Sequence, residues 1–502
     1  MFDQVLLGLT AVVHPNVIAA MVIGTMIGIF IGALPGFTAT MSIALLIPLT
    51  FEWSPLIGLA AMAGIYNGAM FGGAIPAILI NIPGTPAGIV TTFDGYPMSQ
   101  RGEGTLALKL ALVGSTVGAF LSAIVLLSLA PPLARVAIAF GPTEYFWLAV
   151  FGMTALAALG SESVAKGTFS ALIGLAIGTV GIDSITGAQR FTFSNPSLMD
   201  GVPIVVLLIG LYAIPQALII SSKPRLQGYD TKFNNEKVPI AKLFASWVVM
   251  LKSSVIGIVV GLMPGAGGNI ASFISYSEAK RHSKEPENYG KGVSEGVVAS
   301  ETANNADNAS SLVPSLALGI PGNSVAAVML GGFLIHGMRP GPELFTSQGP
   351  VVYGFMWSML LTALVMLVLG WYGIRLFATV LKLPSVLISP VIIVFCILGT
   401  FSLRSNLFDV YLMLGFGLLG LLMIGGKIPL APAVLALILG PMAESELRRS
   451  MLINANDVTA LFSSSISIIL VTMIVLVLFG PPTKRLIKLI KDNRLQAKKT
   501  NI

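Results

Sequence analysis

The sequence predicts an all-α polytopic membrane protein with about 12 transmembrane helices, in two inverted-topology halves whose helices are re-entrant or broken at Pro-Gly motifs. Three observations predict this fold class: few charged residues, a succession of long apolar segments, and a pair of Pro-Gly motifs that occurs twice. Of the 502 residues, 55% are hydrophobic and 10% are Asp, Glu, Lys or Arg, whereas a soluble protein has roughly 25% charged residues. This composition excludes a soluble enzyme, a nucleic-acid-binding protein and a secreted disulfide-rich domain.

The apolar segments are candidates for membrane spans, which need about 20 apolar residues each. The uninterrupted segments are 105–130, 202–221, 350–372, 407–424 and 452–480. The segments interrupted by Gly or Pro are 17–34, 56–80, 143–160, 165–183, 243–262, 386–403 and 427–442. Two of these contain glycines spaced four residues apart, which is typical of helices whose backbones approach closely in lipid. Sliding contacts and ordinary membrane packing both remain open for these glycines.

Lys and Arg set the predicted orientation, because cytoplasmic loops of membrane proteins are enriched in them. Segment 222–242 holds five basic residues, and the tail 483–502 holds seven against a single acid, Asp492. Both segments, and with them the C-terminus, are predicted to be cytoplasmic. The tail is expected either to lie as a short helix on an anionic leaflet or to be simply solvated. The predicted domains are an N-terminal transmembrane half 1–221, a cytoplasmic linker 222–242, a C-terminal transmembrane half 243–482 and a basic cytoplasmic tail 483–502.

Two motifs occur once in each half and in the same order. Gly-Ala-Leu-Pro-Gly at 32–36 corresponds to Gly-Leu-Met-Pro-Gly at 261–265, and Ile-Pro-Gly at 82–84 corresponds to Ile-Pro-Gly at 320–322. Each of the first two motifs follows an apolar run and precedes small polar residues. The order and the surroundings of the motifs indicate an internal repeat.

A single offset of 238 residues extends this repeat. It aligns the two Ile-Pro-Gly motifs, Pro76 with Pro314, and Asn67 with Asn305. Farther along, Asp94-Gly95-Tyr96-Pro97 is only loosely matched by residues 336–340.

The charges beside the two first motifs differ, and this difference predicts an inverted repeat. Segments 1–16 and 52–57 contain no Lys or Arg, whereas 222–242 contains five and 278–291 contains four. The first unit is therefore predicted to open outward and the second toward the cytoplasm. Each unit is predicted to be a hairpin that enters and leaves on one face, with its Pro-Gly tip inside the membrane. Two full spans per unit is the alternative, which fits less well because 266–277 is short and polar.

The Pro-Gly breaks are the predicted substrate site. Pro removes a backbone donor and Gly permits a sharp turn, and broken backbone at membrane depth must be buried in protein or line a polar cavity. The start of each following helix offers unpaired N–H groups and about half a positive charge, which suits a carboxylate. A single break could equally be a packing kink, but four matched breaks favour one central site. The predicted substrate-binding residues are Pro35, Gly36, Thr38, Thr40, Gly84, Thr85, Gly265, Gly267, Gly268, Asn269, Ser272, Gly322, Asn323 and Ser324.

Segment 295–311 is unusually polar for its apolar surroundings. A lipid-facing helix would not carry these residues, because a charge at the bilayer centre costs at least about 2.5–3.5 kcal/mol. Carboxylate and amide oxygens suit a hard cation such as Na⁺, and a carboxylate could instead carry a proton. An amphipathic helix at the cytoplasmic surface is the alternative. The predicted coupling-ion residues are Glu301, Asn304, Asn305 and Asp307.

Motifs of common enzymes are missing from the sequence. There is no G-x-x-x-x-G-K-[ST] phosphate loop, no H-E-x-x-H and no G-x-S-x-G. With three histidines and one cysteine, a transition-metal site is not expected, and neither is an organic cofactor. The protein is predicted not to be an enzyme. The alternatives to a carrier are a passive organic-anion channel, a membrane scaffold subunit, or an intramembrane enzyme for lipid-linked substrates with a reactive pair at Glu301 and Asp307.

Four motifs together resemble the large membrane subunit of bacterial tripartite tricarboxylate transporters, the TctA family. They are Gly-Ala-Leu-Pro-Gly-Phe-Thr-Ala-Thr at 32–40, Asn-Ile-Pro-Gly-Thr-Pro at 81–86, Gly-Leu-Met-Pro-Gly-Ala-Gly-Gly at 261–268 and Gly-Ile-Pro-Gly-Asn at 319–323. The resemblance implies a secondary transporter in the bacterial inner membrane that takes up carboxylates by symport with Na⁺ or H⁺. It also implies two protein partners, a small membrane subunit of about four spans and a periplasmic solute-binding protein. We expect elevator-like alternating access from the re-entrant hairpins.

Overall fold

The computed structural model describes residues 2–159, 163–183, 186–222, 239–382 and 385–478. The predictions for linker residues 223–238 and for the basic tail 483–502 lie outside the described residues.

The described chain is almost entirely helical, with one short β-hairpin. The first helices are α1 (Phe2–Val12), α2 (Pro15–Gly32), α3 (Ala39–Thr50), α4 (Pro55–Gly72), α5 (Ala74–Ile80), α6 (Gly88–Gln100), α7 (Gly104–Ala137), α8 (Pro142–Leu159) and α9 (Val164–Gly178). The antiparallel strands β1 (Gly181–Ile182) and β2 (Gln189–Arg190) follow, with Gly181 opposite Arg190. The next helices are α10 (Ile204–Leu208), which continues through the π-helical turn Ile209–Ala213, α11 (Ile214–Ser222) and α12 (Ile240–Phe244).

The remaining helices begin with the second Pro-Gly repeat. They are α13 (Trp247–Gly261), α14 (Gly267–His282), α15 (Ser294–Ser310), α16 (Leu312–Leu318), α17 (Ser324–Ile335), α18 (Leu344–Ser347), α19 (Gly349–Ala378), α20 (Ser385–Arg404), α21 (Leu407–Gly425), α22 (Ala431–Ile453) and α23 (Ser465–Leu478). Short 3₁₀ turns lie at Pro196–Leu198, Pro286–Asn288, Thr379–Lys382 and Val458–Phe462.

Six stretches of helix in the described ranges are long and apolar enough to cross a membrane: Pro15–Gly32, Pro55–Ile80, Gly104–Ala137, Ile204–Ser221, Gly349–Leu381 and Leu407–Gly425. Large apolar side chains on α13 and α21 are also exposed, among them Val255 at 61% and Leu422 at 66%. These features support a multi-pass membrane protein with all-α architecture. The number of about 12 spans stays a prediction.

The chain forms two compact units. Unit 1 is Met1–Ile138 with Val202–Gly426, and unit 2 is Ala139–Gly201 with Lys427–Ile502. Each unit takes residues from both predicted halves, because the halves are defined by sequence repetition and the units by contacts. The predicted halves therefore stay a prediction.

Helices α4 and α15 form the centre of unit 1. All residues from Gly58 to Gly72 and from Gly296 to Ser310 are buried. Helices α2 and α19 pack on α4, and α7 and α13 pack on α15. In unit 2, α8, α9 and α22 share an apolar core that includes Met153 and Leu435.

Glycines bring α2 and α4 into backbone contact. A Cβ added to Gly28 would lie 2.5 Å from the carbonyl oxygen of Ile65, and one added to Gly32 would meet the carbonyl oxygen of Ala69. Both helices advance by four residues between these contacts, so they run in the same direction. The α2–α3 segment therefore returns the chain to the end of unit 1 from which it started.

Helices α13 and α15 repeat this arrangement. A Cβ on Gly257 would meet the carbonyl oxygen of Ala303, and one on Gly261 would lie 2.9 Å from Oδ1 of Asp307. These two helices are again parallel, and the α13–α14 segment again doubles back. The offset of 238 residues that relates the sequence motifs also relates the helices. Shifted by this offset, α4 and α5 coincide with α15 and α16 to within one residue at each end.

Candidate functional site

The two Gly-x-x-Pro-Gly motifs end their helices as predicted. Helix α2 ends at Gly32 and α13 ends at Gly261. The last glycine of each motif has a positive φ, 89° at Gly36 and 84° at Gly265. This conformation is accessible to glycine at little cost and strained for other residues, so the motif requires glycine at these positions.

The two Ile-Pro-Gly motifs form matching turns. The residue after α5, Asn81, has φ 57°, and the residue after α16, Gly319, has φ 76°. The next backbone amide then donates across the turn to a proline carbonyl in each case, at 3.3 Å to Pro76 and 3.3 Å to Pro314. The two breaks therefore share one backbone design.

Within each half the two breaks meet. In the first half, a Cβ on Gly84 would lie 2.7 Å from the carbonyl oxygen of Gly32. In the second half, a Cβ on Gly322 would lie 2.5 Å from the carbonyl oxygen of Gly261, and the Gly265 amide donates to the Gly322 carbonyl at 2.8 Å. We call residues 33–38 with 81–87 the first tip pair, and residues 262–266 with 319–323 the second tip pair.

Side chains connect the second tip pair to α4. Asn323 donates through Nδ2 to the Tyr66 hydroxyl at 3.0 Å. One residue along α4, Asn67 accepts through Oδ1 from Nδ2 of Asn308 at 3.0 Å. Gly36, in the first tip pair, accepts through its carbonyl oxygen from Gln216.

Three predicted polar residues cap the helices that follow the breaks. Thr38 accepts from the amide of Met41 at 3.3 Å, Thr85 accepts from the amide of Gly88 at 3.3 Å, and Asn323 accepts from the amide of Ala326 at 2.8 Å. Such caps satisfy one of the free amides of a helix start. A hydroxyl that accepts retains its own hydrogen, so the threonines can still donate to a ligand.

The other predicted substrate residues have varied surroundings. Gly268 is buried against Asn304, and Gly267 has a positive φ at the start of α14. Ser272 is buried and donates to the carbonyl oxygen of Ser300, so it serves the packing of α14 on α15. Of the rest, Thr40 is buried, Pro35 and Ser324 are half-buried, and Asn269 is exposed.

Helix α15 carries the predicted ion residues into the centre of unit 1. Glu301 and Asp307 are each 1% exposed, so a solvated surface helix does not describe them. Glu301 accepts from the hydroxyls of Thr91 at 2.5 Å and Ser115 at 3.2 Å. Asp307 accepts through Oδ2 from Nδ2 of Asn323 at 2.6 Å.

Neither acid has a basic partner, and some polar atoms beside Asp307 have no partner at all. Within the described ranges, no Lys, Arg or His forms an ion pair with Glu301 or Asp307. Buried atoms without a hydrogen bond include Oδ1 and Nδ2 of Asn304, Oδ1 of Asp307 and Oδ1 of Asn308. Asn305, by contrast, donates to Ser115 at 2.8 Å.

Sequence reasoning missed several residues that complete this region. Tyr66 and Asn308 hold the second tip pair and α15 against α4, and Thr91 and Ser115 hold Glu301. The offset of 238 residues pairs Tyr66 with Asn304 and could have drawn attention to it. Nothing in the local sequence marks Thr91 or Ser115, since both lie in ordinary helical segments.

Comparison with known proteins identifies one family. The sequence model of the tripartite tricarboxylate transporter TctA family matches residues 18–435. An uncharacterized 52.8 kDa protein from the TAR-I ttuC′ 3′ region of Agrobacterium vitis is 36% identical over 471 residues, which is 92% of each chain. A second uncharacterized protein, from the TAR-II ttuC′ 3′ region of Agrobacterium vitis, is 38% identical over 211 residues, 42% of this chain and 87% of its own. No solved structure matches. The chain therefore belongs to the tripartite tricarboxylate transporter TctA family.

Proposed function

We propose that the chain is the large transmembrane permease subunit of a binding-protein-dependent secondary transporter in the bacterial inner membrane. It takes up tricarboxylates, dicarboxylates or related organic acids with a Na⁺ or H⁺ gradient, by elevator-like alternating access. The observation that carries the proposal is the pairing of broken helices, seen in the hydrogen bond between Gly265 and Gly322. Each tip pair brings two helix N-termini together, and its residues include no Lys or Arg.

The chemistry of the tips suits a carboxylate. Helices α3, α6, α14 and α17 all begin at a break. Each start contributes roughly 0.3–1 kcal/mol to an exposed anion and up to about 2 kcal/mol when partly buried. The hydroxyl hydrogens of Thr38 and Thr85 add directional donors at two of these starts. Several weak contributions together allow tight binding with easy release.

An inverted repeat is part of the proposal, and contacts of α7 support it. A Cβ on Gly114 would lie 3.4 Å from the carbonyl oxygen of Val298, and one on Gly118 would lie 2.9 Å from the amide of Ala306. Helix α7 is therefore parallel to α15, and through α15 to α13.

Contacts of α4 support the opposite direction for the first repeat. Asn67 accepts from Asn308, near the end of α15. Farther along α4, Phe71 lies beside Leu112 of α7. The side chains of both residues would touch a Cβ added to Gly370 of α19. Leu112 precedes the residues of α7 that face the beginning of α15. Helix α4, and α2 with it, therefore runs against α7, α13 and α15, as inverted repeats of secondary transporters do.

The buried acids support coupling to a cation. A carboxylate removed from water is costly unless it is paired or protonated, and within the described ranges Glu301 and Asp307 lack basic partners. We assign the coupling ion to the polar face of α15, near the buried carboxylate of Asp307. Binding of the ion on one face of the membrane would neutralise the acidic charge of this region. Release of the ion on the other face would restore it.

The partners follow from the family, whose transporters are tripartite. The proposal therefore includes a small membrane subunit of four spans and a periplasmic protein that delivers the carboxylate. The C-terminus is placed in the cytoplasm.

Uptake by reconstituted protein tests the proposal. The chain, its small subunit and its binding protein are placed in proteoliposomes with a labelled carboxylate. A carrier accumulates label against its gradient and exchanges it for unlabelled substrate on the other side. Uptake without such exchange would identify a passive channel, and no uptake of any carboxylate by inserted complex would reject the proposal.

A pair of threonine variants tests the tips. Thr85→Val removes a hydroxyl in the first tip pair, and we expect the KM for the carboxylate to rise by about 5- to 50-fold, as for one lost hydrogen bond to a charged group. Thr116→Val is the matched control, because Thr116 is equally buried and bonds only within its own helix, to Leu112. Equal KM values in the two variants would remove Thr85 from the site.

A further inference from the structure

The two acids of α15 have different surroundings. Both oxygens of Glu301 receive hydroxyl donors, Oε1 from Thr91 and Oε2 from Ser115. Asp307 receives its side-chain hydrogen bond from Asn323 on Oδ2, and its Oδ1 has none. The carboxylate of Asp307 thus has an oxygen without any partner, whereas each oxygen of Glu301 already accepts a hydrogen bond.

Two amide oxygens beside Asp307 are also available. Oδ1 of Asn304 and Oδ1 of Asn308 have no partner, and these side chains are 1% and 0% exposed. Residues three and four apart lie on one face of a helix, so Asn304 lies next to both Asp307 and Asn308, and each of the three carries an unpaired oxygen. Unpaired buried acceptors are destabilising unless something binds them.

Glycines lie directly against the side chains of Asn304 and Asp307. A Cβ on Gly268 would lie 2.6 Å from Oδ1 of Asn304 and 3.4 Å from Oδ2 of Asp307. A Cβ on Gly261 would lie 2.9 Å from Oδ1 of Asp307. Both glycines border the first break of the second half, so the side chains of Asn304 and Asp307 face the second tip pair.

We propose that Asn304, Asp307 and Asn308 bind one Na⁺ ion at the second tip pair, and that Glu301 lies outside this site. Oxygen ligands suit a hard cation, and the single carboxylate of the set balances one positive charge. Asn305 is not a ligand, because its Oδ1 already accepts from Asn308 and its Nδ2 donates to Ser115. The inference rests on the proposed function and deepens it by assigning the coupling ion to three residues.

The site is connected to the break itself. Asn323 donates to Asp307 through Nδ2 and caps α17 through Oδ1. Na⁺ on Asp307 therefore stabilises the carboxylate position that holds Asn323 and the start of α17. Ion binding would order the second tip pair before the carboxylate arrives.

Equilibrium binding of radioactive Na⁺ to the purified full-length chain in detergent tests the inference without any transport. We expect saturable binding that K⁺ and choline displace poorly. Asp307→Asn removes the only charged ligand and should weaken binding by more than about 100-fold. Glu301→Gln is the matched change of an equally buried acid on the same helix, and it should alter binding by less than about threefold.

A second variant guards against misfolding of the Asp307 variant. Gly268→Ala keeps every ligand and adds a methyl group beside Asn304, so it should weaken Na⁺ binding at least about tenfold. Size-exclusion profiles and thermal unfolding show which variants remain folded. The inference is wrong if folded Asp307→Asn and Gly268→Ala bind Na⁺ as the parent does, if Glu301→Gln abolishes binding, or if the parent binds no Na⁺. Na⁺ binding without carboxylate uptake by the full complex would instead overturn the proposed function and leave the ion site intact.

Discussion

The backbone amide of Gly265 donates to the carbonyl oxygen of Gly322 at 2.8 Å, joining two Pro-Gly motifs that are distant in sequence. Gly322 in turn packs on Gly261, the last residue of α13. The end of one broken helix and the turn of the other are thereby held in a single backbone contact. Side chains take no part in it, so the contact depends on glycine itself.

Gly322→Ala tests this contact. Its methyl group would lie 2.5 Å from the carbonyl oxygen of Gly261 and 2.8 Å from Cα of Ser311, so we expect a loss of about 1–3 kcal/mol from overpacking. Gly415→Ala is the control, because no atom lies within 4 Å of its added Cβ and alanine stabilises a helix. Thermal unfolding in detergent measures both. A Gly322 variant as stable as the Gly415 variant would contradict the close packing.

Asp94→Asn tests an anchor between α6 and the loop before α15. Asp94 is fully buried and accepts through Oδ1 from the amides of Gly290, Gly292 and Val293 at 2.8–2.9 Å. Its Oδ2 accepts from the Tyr276 hydroxyl at 2.8 Å. Hydrogen bonds to a charged group contribute about 1.5–3 kcal/mol each, so we expect a destabilisation of at least about 3 kcal/mol.

Hydrogen exchange locates the effect of the Asp94 variant. Amides of 283–293 should exchange faster, while those of α19 stay protected. Glu446→Gln is the control, since Glu446 belongs to unit 2 and pairs with Arg449, which is 63% exposed. Unchanged exchange in 283–293 would show that the loop does not depend on Asp94.

Asp183→Ala tests the ion pairs of unit 2. Asp183 is 5% exposed at its side chain and pairs with Arg190 at 3.3 Å and Arg448 at 2.9 Å. The hydrogen bond that Arg190 donates to Glu444 raises the pKa of Arg190 above its ordinary value, so the arginine stays charged. Removing Asp183 leaves both arginines paired with Glu444.

We expect Asp183→Ala to lower the stability of the protein by about 1–3 kcal/mol. Glu446→Ala removes a pair with Arg449, which is 63% exposed, and should change stability by less than about 1 kcal/mol. Chemical denaturation measures the free energy of unfolding of both variants. Equal losses would mean that the network holds the β-hairpin no better than a surface pair.

Asn323→Thr separates the two tasks of this side chain. The corresponding residue of the first half is Thr85, and threonine can still cap α17 with a small loss of stability. It is too short to keep both amide contacts, to Asp307 and Tyr66. We expect near-normal unfolding with Na⁺ binding weakened several-fold, whereas Asn323→Ala should lose about 1 kcal/mol more through the missing cap. Equal stability of the two variants would argue against the cap.

The helix breaks could be predicted because Pro and Gly act locally. The sequence placed breaks at Pro35-Gly36 and at Pro264-Gly265, and the structure ends α2 and α13 there. The offset of 238 residues likewise anticipated the matching turns after α5 and α16. These features depend on the chemistry of one residue or on simple repetition.

Contacts between distant segments could not be predicted in the same way. Tyr66 meets Asn323 and Asp94 meets Gly290 only because of how the helices pack. The sequence indicated Asp307 as a functional acid, but it could not show that Oδ2 accepts from Asn323 while Oδ1 has no partner. The proposed cation ligands therefore differ from the set predicted from the sequence.

The glycine contact between α2 and α4 fixes a distance. The atom nearest to an added Cβ is a backbone carbonyl oxygen at each of these glycines, as that of Ile65 is at Gly28, and a carbonyl has no rotamers through which to adapt. A small shift of one helix along the other would therefore push backbone atoms into each other. Backbone contacts with α4 therefore hold the position at which the chain turns back after Gly32. Side-chain substitutions elsewhere leave these contacts in place.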